Sequence, residues 1–82
     1  MFIVYILYSK NLNIYYKGFT TDFEKRLDYH NSSKSSYTSR TNDWVLVYKA
    51  QFSTKREALL EEKRLMKLNI ASIERLIANF QK

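Results

Sequence analysis

Five side chains in this sequence form a set that could hydrolyse a phosphodiester. They are two phenols, a guanidinium, an imidazole and a carboxylate: Tyr5, Tyr16, Arg26, His30 and Glu62. A carboxylate can hold one divalent cation, and that cation and an arginine can neutralise the negative charge developing on a phosphate. A base must also withdraw a proton from water. Taken singly, the tyrosines have an ordinary explanation as core aromatics.

The spacing of Arg26 and His30 places both on one side of a predicted helix. They are four residues apart, so at about 100° per residue their directions differ by about 40°. The helix is predicted over 22–31, with Thr21 and Glu24 as its capping box. The structural alternatives are a surface charge for Arg26 and, for His30, a half-buried position favoured by the negative C-terminal helix dipole.

Glu62 interrupts the apolar stripe of a second helix, predicted from 55 to about 68. The stripe has four members: Ala58, Leu59, Leu65 and Met66. Burying an unpaired carboxylate costs several kcal/mol, against a total stability of about 5–10 kcal/mol. Glu62 is therefore expected to pair, to lie at the rim of the core or to serve chemistry, and an ion bridge to Arg26 stays open. Glu61 is expected to point to solvent and to pair with Arg64 or with neighbours on the Lys67 side.

The elements that must position these residues follow from hydrophobic patterning. Strands are predicted at 2–8, 14–19 and 44–52, the first two forming an antiparallel hairpin. Gly18, the one glycine, indicates a bend or a close backbone approach within a strand. A second capping box, Thr54 with Glu57, begins the second helix, and a last helix ends near Phe80. The order ββαβαα predicts an α+β fold, a three-stranded antiparallel sheet flanked by helices.

The polar stretch from Asn31 to Asp43 has no hydrophobic period. It carries Lys34, Tyr37, Arg40 and many hydroxyls, a mixture suited to contacting phosphates. Long loops in compact domains are often functional, and a solvated linker is the equally open alternative.

Composition narrows the class of protein. The 82 residues predict one domain, 1–82, and the absence of cysteine excludes disulfides and thiolate metal sites. With one histidine, any metal is expected to be a hard, oxygen-liganded cation. A net charge of +6 and a pI near 9.7 favour nucleic acid as partner, ahead of a membrane. The longest apolar run is too short to span a bilayer, so we expect a cytoplasmic protein.

Read together, five segments resemble the GIY-YIG nuclease family. They are "VYILYS", "YYKGFTTDFEKRLDYHN", "YT", "WVLVY" and "STKREALLEEKRLMK". The sequence is most similar to small stand-alone members related to the N-terminal domain of the UvrC excinuclease. The likeness extends from Tyr5 to about Lys67 and depends on the order and spacing of several motifs.

The resemblance implies a role for each member of the set. Tyr5 falls in the first motif and Tyr16 in the second, Arg26 matches the family's helix arginine, and His30 matches its tyrosine or histidine. Glu62 matches the metal-binding glutamate. The implied activity is a Mg²⁺- or Mn²⁺-dependent DNA endonuclease, with DNA repair or the processing of branched DNA as suggested roles.

The sequence also departs from the family pattern. Phe19 stands where some members have a catalytic lysine, so that role is absent or taken by Lys17, which we also expect to contact DNA. An asparagine that helps phosphate binding in some members has no clear counterpart, since Asn69 is not at the matching spacing. The alternatives are a catalytically weak or inactive nucleic-acid-binding module on the same scaffold, or an interaction subunit. With no second domain, an accessory protein could supply specificity.

Overall fold

A three-stranded antiparallel sheet forms the centre of the protein. The computed structural model describes residues 1–31 and 40–80, with the elements β1 (Phe2–Ser9), β2 (Ile14–Thr20), α1 (Phe23–Asn31), β3 (Val45–Phe52), α2 (Lys55–Met66) and α3 (Ile70–Phe80). The strand order is β2-β1-β3, and β1 pairs antiparallel with both neighbours. The predicted α+β fold and the order ββαβαα are confirmed.

The two faces of β1 build two separate cores, because successive side chains of a strand point to opposite faces. Val4 and Ile6 form a buried cluster with residues of α2 and α3: Ala58, Leu65 and Ile73. Tyr5 and Leu7 point to the other face, where Trp44 joins them and two side chains of α1 pack against them: Phe23 and Leu27. The sheet therefore has α1 on one face and α2 with α3 on the other.

Asp43 ties the β1–β2 turn to the segment before β3. Its carboxylate accepts hydrogen bonds from Ser9 Oγ (2.6 Å), Thr41 Oγ1 (2.7 Å) and the Asn11 backbone N–H (2.9 Å). These donors lower the pKa of Asp43 to about 2, because each favours the charged carboxylate. The turn itself contains Asn13 with a φ of 54°, a conformation that asparagine adopts more readily than most residues.

Helix α1 is capped by Asp22. Asp22 Oδ1 accepts the Lys25 N–H at 3.2 Å, and the Asp22 N–H donates to Thr20 Oγ1 at 3.1 Å. The predicted capping box of Thr21 and Glu24 is therefore wrong. The Thr20 hydroxyl holds the chain so that the cap falls one residue later, on a carboxylate that the positive helix N-terminus also favours.

The capping box at the start of α2 is confirmed. Thr54 Oγ1 accepts the Glu57 N–H at 3.2 Å and donates to Glu57 Oε1 at 2.9 Å. The predicted apolar stripe of this helix is only half right. Ala58 and Leu65 are buried, whereas Leu59 and Met66 are 42% and 58% exposed. The difference arises because α2 contacts the sheet along a narrow ridge that leaves its flank uncovered.

Glu61 lies nearer the sheet than the sequence suggests. Its pairing with Arg64 is confirmed, with a distance of 2.6 Å between Arg64 Nη2 and Glu61 Oε2. Its predicted outward direction is wrong, since its side chain is only 15% exposed and accepts the Tyr48 hydroxyl at 3.4 Å. The Arg64 hydrogen bonds lower the pKa of Glu61. This carboxylate therefore stays ionised, and its charge is balanced by Arg64.

The helices are all short. The longest, α2, has 12 residues, whereas a helix needs about 20 apolar residues to span a bilayer. Within residues 1–31 and 40–80, none has the length and apolar character that a membrane crossing requires.

Candidate active site

Tyr5 occupies the centre of the sheet, on the face covered by α1. It is 1% exposed, and its Cα pairs with that of Gly18 on β2. A Cβ at position 18 would collide with the Tyr5 hydroxyl and lie 2.5 Å from Tyr5 Cζ. Because the φ of Gly18 is not positive, the glycine is required by the close approach of the phenol and not by its own backbone conformation.

The Tyr5 hydroxyl meets the end of α1 at His30. The hydroxyl and His30 Nε2 are hydrogen bonded at 3.0 Å, and His30 is 1% exposed. The Tyr16 ring lies edge-on to His30, with 4.9 Å between ring centroids, and 6.2 Å from Trp44. Phe23 contacts the edge of Tyr5 at 5.6 Å. Strands β1 and β2 and helix α1 thus bring two phenols and the imidazole together.

The environment of this cluster changes how its groups titrate. Burial, and then the charge of Arg26, lower the pKa of His30, so the imidazole is neutral at about pH 7. Burial raises the pKa of Tyr5 strongly, with Tyr16 and Glu62 adding to the shift and Arg26 opposing it. Tyr5 therefore remains a phenol, and the charges of Arg26 and Glu62 both act on its hydroxyl.

Arg26 and Glu62 both act electrostatically on the Tyr5 hydroxyl without pairing with each other. Arg26 is exposed, with its guanidinium carbon 5.3 Å from the Tyr29 ring centroid. Glu62 is half-buried, and burial alone raises its pKa. Across residues 1–31 and 40–80 the one ion pair is Arg64–Glu61. The ion bridge between Glu62 and Arg26 that the sequence left open is therefore not formed.

The chemistry of Glu62 fits a cation shared with a substrate. Its carboxylate is partly desolvated and makes no hydrogen bond or ion pair with any described residue. In the described ranges, no three His, Asp or Glu side chains cluster into a metal cage. Mg²⁺ commonly takes one or two carboxylates, water and substrate phosphates, and a single open carboxylate is sufficient for that arrangement.

Comparison with known proteins decides the family. The family model described as the GIY-YIG catalytic domain matches residues 1–74. The chain belongs to the GIY-YIG family. It is 43% identical over 60 residues to a UPF0213 protein of Staphylococcus haemolyticus, covering 72% of each chain. It is 38% identical over 65 residues to UPF0213 protein YazA of Bacillus subtilis, covering 78% of this chain and 65% of that one.

A solved structure shares the fold of this GIY-YIG protein. The solution NMR structure of a UPF0213 protein from Bacillus halodurans aligns with a TM-score of 0.61 at 34% identity. The alignment covers 95% of this chain and 84% of the other. The resemblance inferred from the sequence motifs, including the likeness to small stand-alone members, is confirmed.

Lys17, in the middle of the second GIY-YIG motif, points away from Tyr5. Its Cα pairs with that of Ile6, and it lines a groove with Leu68 and Asn69 on the face that carries α2 and α3. Phe19 shares that face and stacks on Phe2 with 5.9 Å between ring centroids. Strand alternation therefore places the Lys17 and Phe19 side chains together on the face opposite Tyr5.

The remaining predicted positions have separate locations. Asn69 caps α3 by accepting the Ser72 N–H at 2.8 Å, so it has a structural role at a helix start. Arg40 is exposed in the segment before β3. Lys34 and Tyr37 lie outside the described residues.

Two residues next to the site were missed in the sequence. Asn31 Oδ1 accepts the Trp44 N–H at 2.9 Å, and Asn31 Nδ2 donates to the Trp44 carbonyl at 3.1 Å. Lys49 pairs with Tyr5 across β1 and β3, with Nζ 6.0 Å from the Phe23 ring centroid. The Asn after His30 was a usable signal for the first. Lys49 needed the strand register, which the sequence does not reveal.

Proposed function

We propose that this GIY-YIG protein is a divalent-metal-dependent endonuclease that hydrolyses phosphodiester bonds in DNA. The observation that carries the proposal is the convergence on the Tyr5 hydroxyl. His30 is hydrogen bonded to it, the Tyr16 ring contacts His30, and the charges of Arg26 and Glu62 act on that hydroxyl. Membership of a nuclease family and a net charge of +6 support a polyanionic substrate.

Glu62 is the residue proposed to hold the cation, together with phosphate oxygens of the substrate. When bound, Mg²⁺ or Mn²⁺ would neutralise phosphate charge and favour the ionised forms of nearby water and phenol groups. Glu62 must be ionised for this, and because burial raises its pKa, ion binding should weaken at a higher pH than it would with an exposed glutamate.

Tyr16 and His30 are proposed to remove the proton from the attacking water. Tyr16 is half-buried beside His30 and has access to the rim of the site. As Tyr16 takes a proton from water, its own phenolic proton would pass to Nδ1 of His30, whose imidazole is neutral at about pH 7. This requires the tautomer in which Nε2 carries the ring proton and donates to the Tyr5 hydroxyl. The Tyr5 hydroxyl, bonded to His30 Nε2, holds the imidazole in place.

Arg26 is proposed to bind the non-bridging oxygens of the scissile phosphate. Its guanidinium is exposed and unpaired with any described carboxylate, so it is available to an incoming anion. A planar guanidinium can donate two parallel hydrogen bonds to a phosphate. Arg26→Ala should therefore lower the cleavage rate by about a hundredfold or more.

Further contacts with DNA are proposed for the segment between α1 and β3. Lys34, Tyr37 and Arg40 supply two cations and an aromatic ring suited to phosphates and bases. We place the protein in the cytoplasm, where DNA repair or the processing of branched DNA would use it. An accessory protein is proposed as an added source of specificity.

Cleavage of a supercoiled plasmid tests the proposed activity. The wild-type protein with Mg²⁺ or Mn²⁺ should nick or linearise it, and EDTA should prevent this. Glu62→Gln should lower the rate by about a hundredfold or more, while Glu61→Gln, on the neighbouring position of α2, should keep it within about threefold. Loss of cutting in both variants, or in neither, would contradict the assignment of Glu62.

A non-catalytic DNA-binding module is the second candidate. The observation in its favour is Phe19, which follows the motif glycine and packs on Phe2 in place of a lysine. This candidate predicts salt-dependent DNA binding that Glu62→Ala leaves unchanged or strengthens, and no cleavage with any metal. Measurable plasmid cutting by the wild-type protein would exclude it.

A further inference from the structure

One exposed side of α2 forms an apolar surface, called here the α2 groove, and every residue that lines it belongs to this helix. Leu59, Leu60 and Met66 line it and are 42%, 60% and 58% exposed. Exposed aliphatic side chains grouped on one surface commonly mark a contact site, and packing within the fold does not account for these three.

The charges around the groove favour an anionic occupant. Lys55, Arg56 and Lys63 lie along it on the same helix. Three cations beside an apolar floor suit a molecule that is anionic along its backbone and apolar on its flat faces. Nucleic acid with exposed bases has this character, whereas a fully stacked duplex hides the faces of its bases.

Glu62 belongs both to the groove and to the set of proposed site residues. The Glu62 side chain lines the groove, and its charge also acts on the Tyr5 hydroxyl. Leu59 and Met66 lie one helical turn before and after Glu62. A strand whose phosphate lies at Glu62 therefore places one neighbouring nucleotide over Leu59 and the other over Met66. This step rests on the proposed function, because it takes Glu62 as the position of the cleaved phosphate.

We propose that the α2 groove binds the base of an unstacked DNA nucleotide next to the cleaved phosphate. The aliphatic side chains contact the face of the base, and the flanking cations bind the adjoining phosphates. Recognition by aliphatic contact does not require a particular base, so the groove selects DNA by the exposure of its bases and not by their sequence.

Binding to two matched single strands tests the groove. One is a thymidine strand of about ten nucleotides, and the other has the same length and charge but lacks every base. Fluorescence anisotropy without divalent metal should show the wild-type protein binding the thymidine strand about tenfold more tightly. Leu59→Gln/Met66→Gln should reduce that ratio to about one while affinity for the abasic strand stays within about twofold.

The control is Ile70→Gln, a similarly exposed aliphatic residue on α3 outside the groove. It should keep the wild-type ratio. If the double variant loses affinity equally for both strands, or keeps the wild-type affinity ratio, the groove proposal is overturned. Neither result would bear on the proposed nuclease activity. Light scattering that shows a dimer for the wild type and a monomer for the double variant would also overturn the groove proposal, because the surface would then mediate self-association. A wild-type protein that binds neither strand and cuts no DNA would overturn the proposed function with it.

Discussion

At the scale of single residues, the site depends on how closely β2 approaches a buried phenol. Tyr5 crosses the sheet directly over Gly18, and this brings its hydroxyl to His30 Nε2. The sequence indicated a close approach or a bend at Gly18, and the structure shows the close approach. What the sequence could not show is which ring lies there, because that follows from the register of β1 against β2.

Gly18→Ala is predicted to destabilise the protein and displace Tyr5. The added methyl would collide with the Tyr5 hydroxyl and Cζ, and overpacking of this kind costs about 1–3 kcal/mol. Chemical denaturation of the purified variant measures the loss. In a Tyr5→Ala background the same substitution should cost much less, since the colliding ring is gone. An equal cost in both backgrounds would show that the ring is not the reason for the glycine.

At the scale of elements, the hydrophobic pattern predicted every described strand and helix to within a few residues. In α1, Phe23, Leu27 and His30 share the inner face, at the i, i+4, i+7 spacing of a helical stripe. The sequence pattern was less informative about which side of each helix or strand is covered by another element. The helical period placed Leu59 in the core, but no element packs there, and the strand period could not tell which face Lys17 would share. Local hydrophobic periodicity does not show which distant element of the chain packs against a given side.

Long-range polar ties are the part of the fold that patterning misses. Asn31 bonds both backbone groups of Trp44, joining the end of α1 to the start of β3. Asp43 joins the same region to the β1–β2 turn through Ser9 and Asn11. These ties fix Trp44 against Tyr5 and Leu7, and so hold the floor of the candidate site.

Asp43→Asn is predicted to lower stability in a pH-dependent way. The folded pKa is depressed to about 2 from 3.8, so the stabilisation is fully present above pH 3.8 and is lost as pH falls toward about 2. The amide also presents N–H groups where Asn11 donates. Thermal unfolding should show wild type more stable at about pH 7, with the gap closing toward about pH 2.

The control for Asp43 is Asp28→Asn, an exposed position on α1. It should change stability little at any pH, as is usual for surface substitutions. A gap between wild type and Asp43→Asn that stays constant down to about pH 2 would show that the hydrogen-bonded carboxylate is not its source.

At the scale of the whole molecule, the candidate site draws on both layers around the sheet. Arg26 and His30 come from α1, the tyrosines from the sheet, and Glu62 from α2, which packs on the other face. The sequence predicted these five residues as a set, and in the fold His30 bonds to the Tyr5 hydroxyl while the charges of Arg26 and Glu62 act on it. Because Glu62 lies on α2 and the other four residues do not, a displacement of α2 relative to the sheet should weaken the proposed cation binding.

Mn²⁺ titration of the isotope-labelled protein, followed by amide line broadening, tests the central claim most directly. Paramagnetic broadening should centre on Glu62 and extend to Tyr5, disappear in Glu62→Gln and persist in Glu61→Gln. Both acids lie on α2, but only Glu61 is neutralised by an arginine. Broadening that survives in Glu62→Gln, or that centres on Asp43, would contradict a cation site at Glu62.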